Sequence, residues 1–134
     1  MESSSRHISI VIERSAAEVY AFASDARNLP AWAGGLAGSE VTWDGMSWST
    51  DSPMGRVSFV FAPVNEFGIL DHTVTLPSGE SVYNPLRVLA HEDGAEVVFT
   101  LRPSSGMSPE GFERDARMVQ QDLARLKSLL EAQH

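Results

Sequence analysis

The sequence of 134 residues contains no cysteine, and this absence removes several kinds of site at once. Without thiols the chain forms no disulfide, no zinc–thiolate centre and no thiol nucleophile. Basic residues are also scarce: 10 Lys and Arg stand against 18 Asp and Glu, which gives a formal net charge of −8. Because nucleic-acid binding requires clustered basic side chains that neutralise phosphates, we expect no nucleic-acid partner.

Long apolar runs are missing as well. No segment approaches the roughly 20 apolar residues of a membrane-spanning helix, and Met1–Arg6 has no apolar stretch typical of a signal peptide. We therefore expect a cytoplasmic protein without membrane contact. The remaining composition, 43% hydrophobic and 21% charged, is ordinary for a soluble protein. It predicts one domain over residues 1–134, with Met1–Ser5 as a flexible tail.

The clearest structural pattern lies in the N-terminal segment that ends at Trp32. His7–Glu13 has isoleucine at every second position, which predicts a strand with one apolar face. Ser15 and Glu18 have the spacing of a capping box, so a helix should begin there and continue through Phe22. The sequence Asn-Leu-Pro-Ala-Trp that follows, Asn28–Trp32, indicates a second short helix.

From Glu40 onward the hydrophobic period changes to two, which predicts six further strands. These are Glu40–Trp43, Met46–Thr50, Arg56–Phe61, Ile69–Leu76, Ser81–Ala90 and Ala95–Arg102. Asp44-Gly45 in the first hairpin suits a type I′ turn.

A long amphipathic helix is predicted to close the chain, from an N-cap at Ser108 to about Ala132. Its apolar stripe consists of Phe112, Ala116, Val119, Leu123, Leu126 and Leu130. The order β-α-α-β6-α predicts an α+β fold in which a seven-stranded antiparallel sheet wraps around the C-terminal helix. Because a strongly twisted sheet leaves space at the ends of its contact with a single helix, we expect a cavity between them.

With these elements in place, the chain resembles the START/Bet v 1-like superfamily, in particular the SRPBCC group of polyketide cyclase/dehydrase and lipid-transport-like proteins. The resemblance covers nearly the whole chain and rests on Ile8–Glu13 with Ser15–Tyr20, on Asn28–Trp32 and on Phe112–Lys127. It implies a helix-grip fold with a hydrophobic cavity between the sheet and the C-terminal helix. Members of the superfamily include ligand carriers, cyclases, hormone receptors and co-chaperone-like domains, so the fold alone does not select a function.

The strand Ile69–Leu76 carries the most interesting polar residue, His72. Its neighbours on the same face are Leu70, Val74 and Leu76, so His72 is predicted to point into the cavity. There it could act as a general acid or base, or bind a ligand carbonyl. A structural core histidine, satisfied by a backbone group, is the favoured alternative. Asp71 should face the opposite way and cannot orient the imidazole.

The next strand places Asn84 on the inward side, near His72 if the two strands pair. Pro85 interrupts the pattern, and a bulge there would turn Arg87 inward, although an exposed Arg87 is preferred. Asp115 either faces the cavity mouth, pairs with His72 or is simply a solvated acid, which is the favoured interpretation. The residues predicted to line the ligand site are Trp32, Phe59, Phe61, Leu70, His72, Val74, Asn84, Leu86, Phe112, Asp115 and Val119.

Three functions remain open at this point. The preferred one is binding of a small hydrophobic molecule, by a monomer or a homodimer. The second is a cyclase/dehydratase-like enzyme with His72 as acid–base group and Asn84 or Tyr20 orienting a carbonyl. The third is a protein-interaction module that acts through an acidic face. No cofactor is expected, because Gly34–Gly38 lacks the strand-and-helix context of a dinucleotide loop. No metal is expected, because the histidines lack ligand spacing.

Overall fold

Eight strands and three α-helices make up the computed structural model, which describes residues 5–34, 39–53, 55–104 and 106–132. In chain order the elements are β1 (Arg6–Ile12), α1 (Ala16–Ala23), a 3-10 turn (Ala26–Asn28), α2 (Leu29–Trp32), β2 (Thr42–Trp43), β3 (Trp48–Ser52), β4 (Gly55–Phe61), β5 (His72–Thr75), β6 (Ser81–Asn84), β7 (Leu86–His91), β8 (Gly94–Leu101) and α3 (Pro109–Glu131). The α+β class is as predicted. The predicted tail lies outside the described residues except for Ser5, and so does Gly35–Gly38.

The described strands form two antiparallel sheets, so the prediction of a single seven-stranded sheet was wrong. One sheet has the order β1-β8-β7, and the other has the order β2-β3-β4-β5-β6. The predicted strand Ser81–Ala90 is divided at Pro85, which has no N–H to donate to a ladder. Before Pro85 the chain pairs with β5, and after it the chain pairs with β8. Pro85 therefore explains the extra strand and marks the point where the chain changes sheet.

A short segment before β5 holds the two sheets together. The Val88 N–H donates to the Gly68 carbonyl at 2.8 Å, and the Leu70 N–H donates to the Leu86 carbonyl at 2.8 Å. Residues 68–70 thus cover the edge of β7 that β8 leaves open. Backbone groups at the change of sheet are satisfied in this way, as buried N–H and C=O groups must be.

Both predicted helix caps are present. The Ser15 hydroxyl oxygen accepts a hydrogen bond from the Glu18 N–H at 3.1 Å, which begins α1. The Ser108 hydroxyl accepts from the Gly111 N–H at 3.0 Å, with proline in the first turn of α3. One face of α3 is buried against the sheets, through Ala116, Leu123, Leu126 and Leu130. None of the helices in the described ranges has the length and apolar character needed to cross a membrane.

The first hairpin is present, but its strands are Thr42–Trp43 and Trp48–Ser52 where Glu40–Trp43 and Met46–Thr50 were predicted, and its turn also differs. Trp43 pairs with Trp48 across β2 and β3, and their ring centroids are 5.1 Å apart. The connection spans four residues, and one Asp44 carboxylate oxygen accepts from the N–H groups of Met46 and Ser47, each at 2.8 Å. A type I′ turn over Asp44-Gly45 would require positive φ at both residues. Only Gly45 has it, so that part of the prediction was wrong.

Candidate functional site

A cavity of about 510 Å³ lies between the larger sheet and α3. Its walls come from α2, from the inner faces of β4 and β5, and from one side of α3. The lining residues are Leu29, Trp32, Ala33, Ser52, Pro53, Val57, Phe59, Phe61, His72, Val74, Asn84, Leu86, Phe99, Asp115, Met118, Val119, Asp122 and Leu123. The volume falls within the roughly 300–1,000 Å³ of small-molecule pockets.

The aromatic part of the wall follows directly from strand alternation. Phe59 and Phe61 stand on the inner face of β4, and their rings are 5.8 Å apart in an edge-to-face arrangement. In the β4–β5 register Phe59 pairs with Val74 and Phe61 pairs with His72. The Phe61 and His72 rings are 5.2 Å apart. The imidazole is therefore placed in a largely aromatic part of the wall.

A hydrogen bond determines which ring nitrogen of His72 carries the hydrogen, and burial determines the charge of the ring. Its Nδ1 lies 3.0 Å from the Leu70 carbonyl oxygen, and since a carbonyl only accepts, Nδ1 carries the hydrogen. Burial lowers the pKa of His72 below its usual value, so the ring is neutral at pH 7. Nε2 therefore presents a lone pair. The Asn84 side-chain nitrogen donates to it at 3.5 Å, and the two residues are directly paired in the β5–β6 register.

Most of the residues predicted for the ligand site lie on the cavity wall: Trp32, Phe59, Phe61, His72, Val74, Asn84, Leu86, Asp115 and Val119. Contact of these residues with a ligand stays a prediction. Leu70 and Phe112 are not among the residues that line the cavity. Leu70 is only 2% exposed and belongs to the closed core, because residues 68–70 pair with β7. Phe112 lies beneath the Arg6 guanidinium, 5.2 Å from its ring centroid, near the start of α3.

Several wall residues were not predicted. Val57 shares the inward side of β4 with Phe59, and Leu123 belongs to the apolar stripe of α3, so the sequence patterns could have identified both. Phe99 on β8 likewise has the same parity as the buried Val97. No sequence signal points to Asp122, since its contacts are distant along the chain.

Asp122 links α3 to the segment that follows α2. One of its carboxylate oxygens accepts from the Gly34 N–H at 2.9 Å and from Arg125 Nη1 at 3.1 Å. The same Arg125 nitrogen donates to the Trp32 carbonyl at 2.8 Å. Burial raises the pKa of Asp122. These contacts hold Trp32 and its neighbours against the helix at one end of the cavity.

Asp115 also lines the cavity, but it has no such partners. In the described part of the chain no hydrogen bond or ion pair joins it to another side chain, and none joins it to His72. The pairing with His72 that was one of the sequence-based alternatives is therefore absent. Asp115 remains a half-buried carboxylate on the α3 side of the wall.

A partly buried ion pair lies on the outer side of the sheet, between the residue before β5 and a residue of β7. Asp71 is 5% exposed, and its carboxylate accepts from Arg87 Nε at 2.8 Å and Nη2 at 2.7 Å. It also accepts from the Tyr83 hydroxyl at 2.6 Å and the Leu86 N–H at 3.0 Å. Arg87 thus lies on the outer surface, as the preferred interpretation had it, and not in the cavity. Asp71 faces away from His72, as strand alternation predicts.

Two sheets that pack against one face of a long helix, with an apolar cavity between the larger sheet and the helix, define a helix-grip architecture. The chain belongs to the family described as polyketide cyclase / dehydrase and lipid transport, whose model matches residues 5–131. This membership confirms the START/Bet v 1-like resemblance seen in the sequence. No curated protein shows significant sequence similarity to the chain.

Three solved structures with the same fold are distant in sequence. XoxI from Bacillus cereus has a TM-score of 0.75 at 15% identity, over 98% of this chain and 99% of its own. A START superfamily protein from Mycobacterium smegmatis has a TM-score of 0.69 at 11% identity, over 99% and 100%. BexL, a di-domain ARO/CYC protein from the BE-7585A biosynthetic pathway, has a TM-score of 0.69 at 16% identity, over 96% of this chain and 46% of its own. Identities this low support the fold alone.

Proposed function

We propose that this protein binds a small, predominantly apolar molecule in the cavity between the larger sheet and α3. The observation that carries the proposal is the 510 Å³ cavity itself, with its wall of Phe59, Phe61, Phe99 and aliphatic side chains. Apolar surface that is removed from water contributes roughly 25 cal/mol per Å², so an enclosed apolar ligand would be bound without any charged anchor. A filled core would instead have favoured the interaction-module hypothesis.

Filling the cavity should abolish binding. We expect Val74→Phe to weaken binding of the neutral dye N-phenyl-1-naphthylamine by roughly tenfold or more, because the added ring occupies ligand volume. The measurement is a fluorescence titration, since this dye brightens in apolar surroundings. Val60→Phe is the matched control, because Val60 is on β4 and is 48% exposed on the outer face.

The control should bind the dye as the parent protein does. Urea unfolding of both variants would verify that Val74→Phe is folded. Equal affinity of the parent protein and a folded Val74→Phe protein would contradict binding in this cavity. Native mass spectrometry of protein purified from its own host would identify the natural ligand class, because an apolar molecule bound in the cavity would co-purify.

A second candidate is acid–base catalysis by His72, as in a cyclase or dehydratase. The observation in its favour is a neutral imidazole at the cavity wall whose Nε2 accepts only one long hydrogen bond, at 3.5 Å from Asn84. The family description includes cyclases and dehydrases, and BexL is described as ARO/CYC. A single inward-facing base is few acid–base groups for an enzyme, and ligand binding therefore remains the main proposal.

For the catalytic candidate, His72→Gln separates chemistry from binding. Glutamine retains polar character but cannot exchange protons near neutral pH, so turnover of an identified substrate should fall by about 100-fold or more. Binding of N-phenyl-1-naphthylamine should change by no more than about threefold, because the aromatic wall is intact. A parent-like rate in the His72→Gln protein would exclude the imidazole from the reaction.

A further inference from the structure

The charged groups on the cavity wall are all of one sign. Asp115 and Asp122 line the cavity, and no lysine or arginine is among the lining residues of the described chain. Arg125 pairs with Asp122 and also donates to the Trp32 carbonyl, and it is not one of the residues that line the cavity. An anionic ligand group would therefore enter a largely apolar space without a cationic partner and beside two carboxylates.

The other polar side chains on the wall, among them His72 and Asn84, carry no positive charge. The Nδ1 hydrogen of His72 is used by the Leu70 carbonyl, and its Nε2 lone pair accepts from the Asn84 side-chain nitrogen. The Asn84 amide keeps its second N–H and its carbonyl oxygen for a ligand. The Trp32 indole N–H is buried and has no hydrogen-bond partner among the described residues. These groups can form hydrogen bonds with a neutral ligand, but they do not neutralise an anion.

From these two observations we infer that the cavity selects an uncharged, predominantly apolar molecule and rejects carboxylates and sulfonates. The inference rests on the proposed function, since it names the ligand class of the same cavity. A polar group of the ligand would meet the free N–H and the carbonyl oxygen of the Asn84 amide. Rejection of anions falls mainly to Asp115, whose carboxylate has no partner in the described part of the chain. Like charges that face each other at a binding site lower the affinity, so this carboxylate acts against an anionic ligand.

Two dyes with one skeleton test the rejection of anions. N-phenyl-1-naphthylamine is neutral and has an N–H donor, while 1-anilinonaphthalene-8-sulfonate adds only a sulfonate. We expect the neutral dye to bind at least roughly tenfold more tightly in fluorescence titrations at 0.15 M salt, where long-range repulsion by the net charge is screened.

Asp115→Asn should strengthen binding of the sulfonate dye by about fivefold or more and leave the neutral dye within about twofold. The matched control is Asp93→Asn, which removes an equal charge from the exposed turn between β7 and β8. The control should leave both affinities unchanged.

The outcomes separate the two proposals. If the neutral dye binds and the sulfonate dye binds equally well or better, the selectivity inference is overturned while ligand binding stands. If rejection of the sulfonate persists undiminished in Asp115→Asn, the role assigned to that carboxylate is overturned. If neither dye nor any other apolar probe binds the folded parent protein, the proposed function itself is overturned.

Discussion

Replacement of Arg87 by alanine is expected to lower the free energy of unfolding by about 2–4 kcal/mol at pH 7. Removing one partner of a buried ion pair typically costs about 3–5 kcal/mol, and the value is reduced here because the Arg87 side chain is 46% exposed. Asp71, by contrast, has a side chain that is 7% exposed and would remain as a buried carboxylate. The Tyr83 hydroxyl and the Leu86 N–H would then be its only hydrogen-bond donors among the described residues.

The effect of Arg87→Ala should depend on pH in a defined direction. In the folded protein the hydrogen bonds from Arg87 are the largest cause that holds the pKa of Asp71 far below its ordinary value. A carboxyl group with a depressed folded pKa contributes stability above its unfolded pKa of about 3.9 and loses this contribution as the pH falls further. Urea unfolding should therefore show the full difference between parent and variant at pH 7. The difference should become smaller below about pH 4, where the unfolded state binds the proton.

Arg56→Ala is the matched control for this experiment. Arg56, which is in β4, also forms an ion pair with an aspartate, Asp51, but the two side chains are 55% and 77% exposed. Exposed pairs of this kind contribute about 0–1 kcal/mol. A loss in Arg87→Ala that is no larger than in Arg56→Ala, or one that persists unchanged at low pH, would contradict the assigned role of the Asp71 network.

The sequence patterns predicted those features that depend on neighbours along the chain. The two serine caps, the strand alternation on β4 and β5, and the pairing of His72 with Asn84 all depend on spacing within one element or across one short turn. Local stereochemistry restricts such features strongly, because adjacent strand residues must point to opposite faces. The inward position of the candidate imidazole could therefore be predicted from the sequence.

Contacts between distant residues could not be predicted in this way. Asp122 bonds to Gly34, and Asp71 bonds to Arg87, across separations that no period in the sequence encodes. Alternation placed Leu70 on the correct side of its strand, but it does not show whether that side meets the cavity or the closed core. Pro85 was recognised as an interruption, yet the transfer of the chain to a second sheet depends on which partner strand is free. Tertiary pairing determines these outcomes.

The other large effect is expected at Gly68, where the backbone conformation and the packing both require glycine. Its φ of +73° lies in the left-handed region, which costs other residues roughly 1–2 kcal/mol. A Cβ at this position would also lie 2.1 Å from the carbonyl oxygen of Val88, which is in β7, the strand with which Gly68 pairs. Gly68→Ala must therefore displace residues 68–70 from β7 and weaken their hydrogen bonds, each of which contributes about 0.5–1.5 kcal/mol. We expect a total loss of about 3–5 kcal/mol in urea unfolding.

Gly79→Ala separates the contribution of backbone conformation from that of packing. Gly79 also has a positive φ, +93°, but a Cβ there meets no atom within 4 Å. Its replacement should cost only about 1–2 kcal/mol, the conformational part alone. The additional loss in Gly68→Ala then measures the close approach of the two backbones where the sheets meet. Because residues 68–70 lead directly into the strand that carries His72, a folded Gly68→Ala protein should also bind N-phenyl-1-naphthylamine more weakly. Equal stability losses in the two alanine variants would show that this junction tolerates a side chain and does not fix the position of β5.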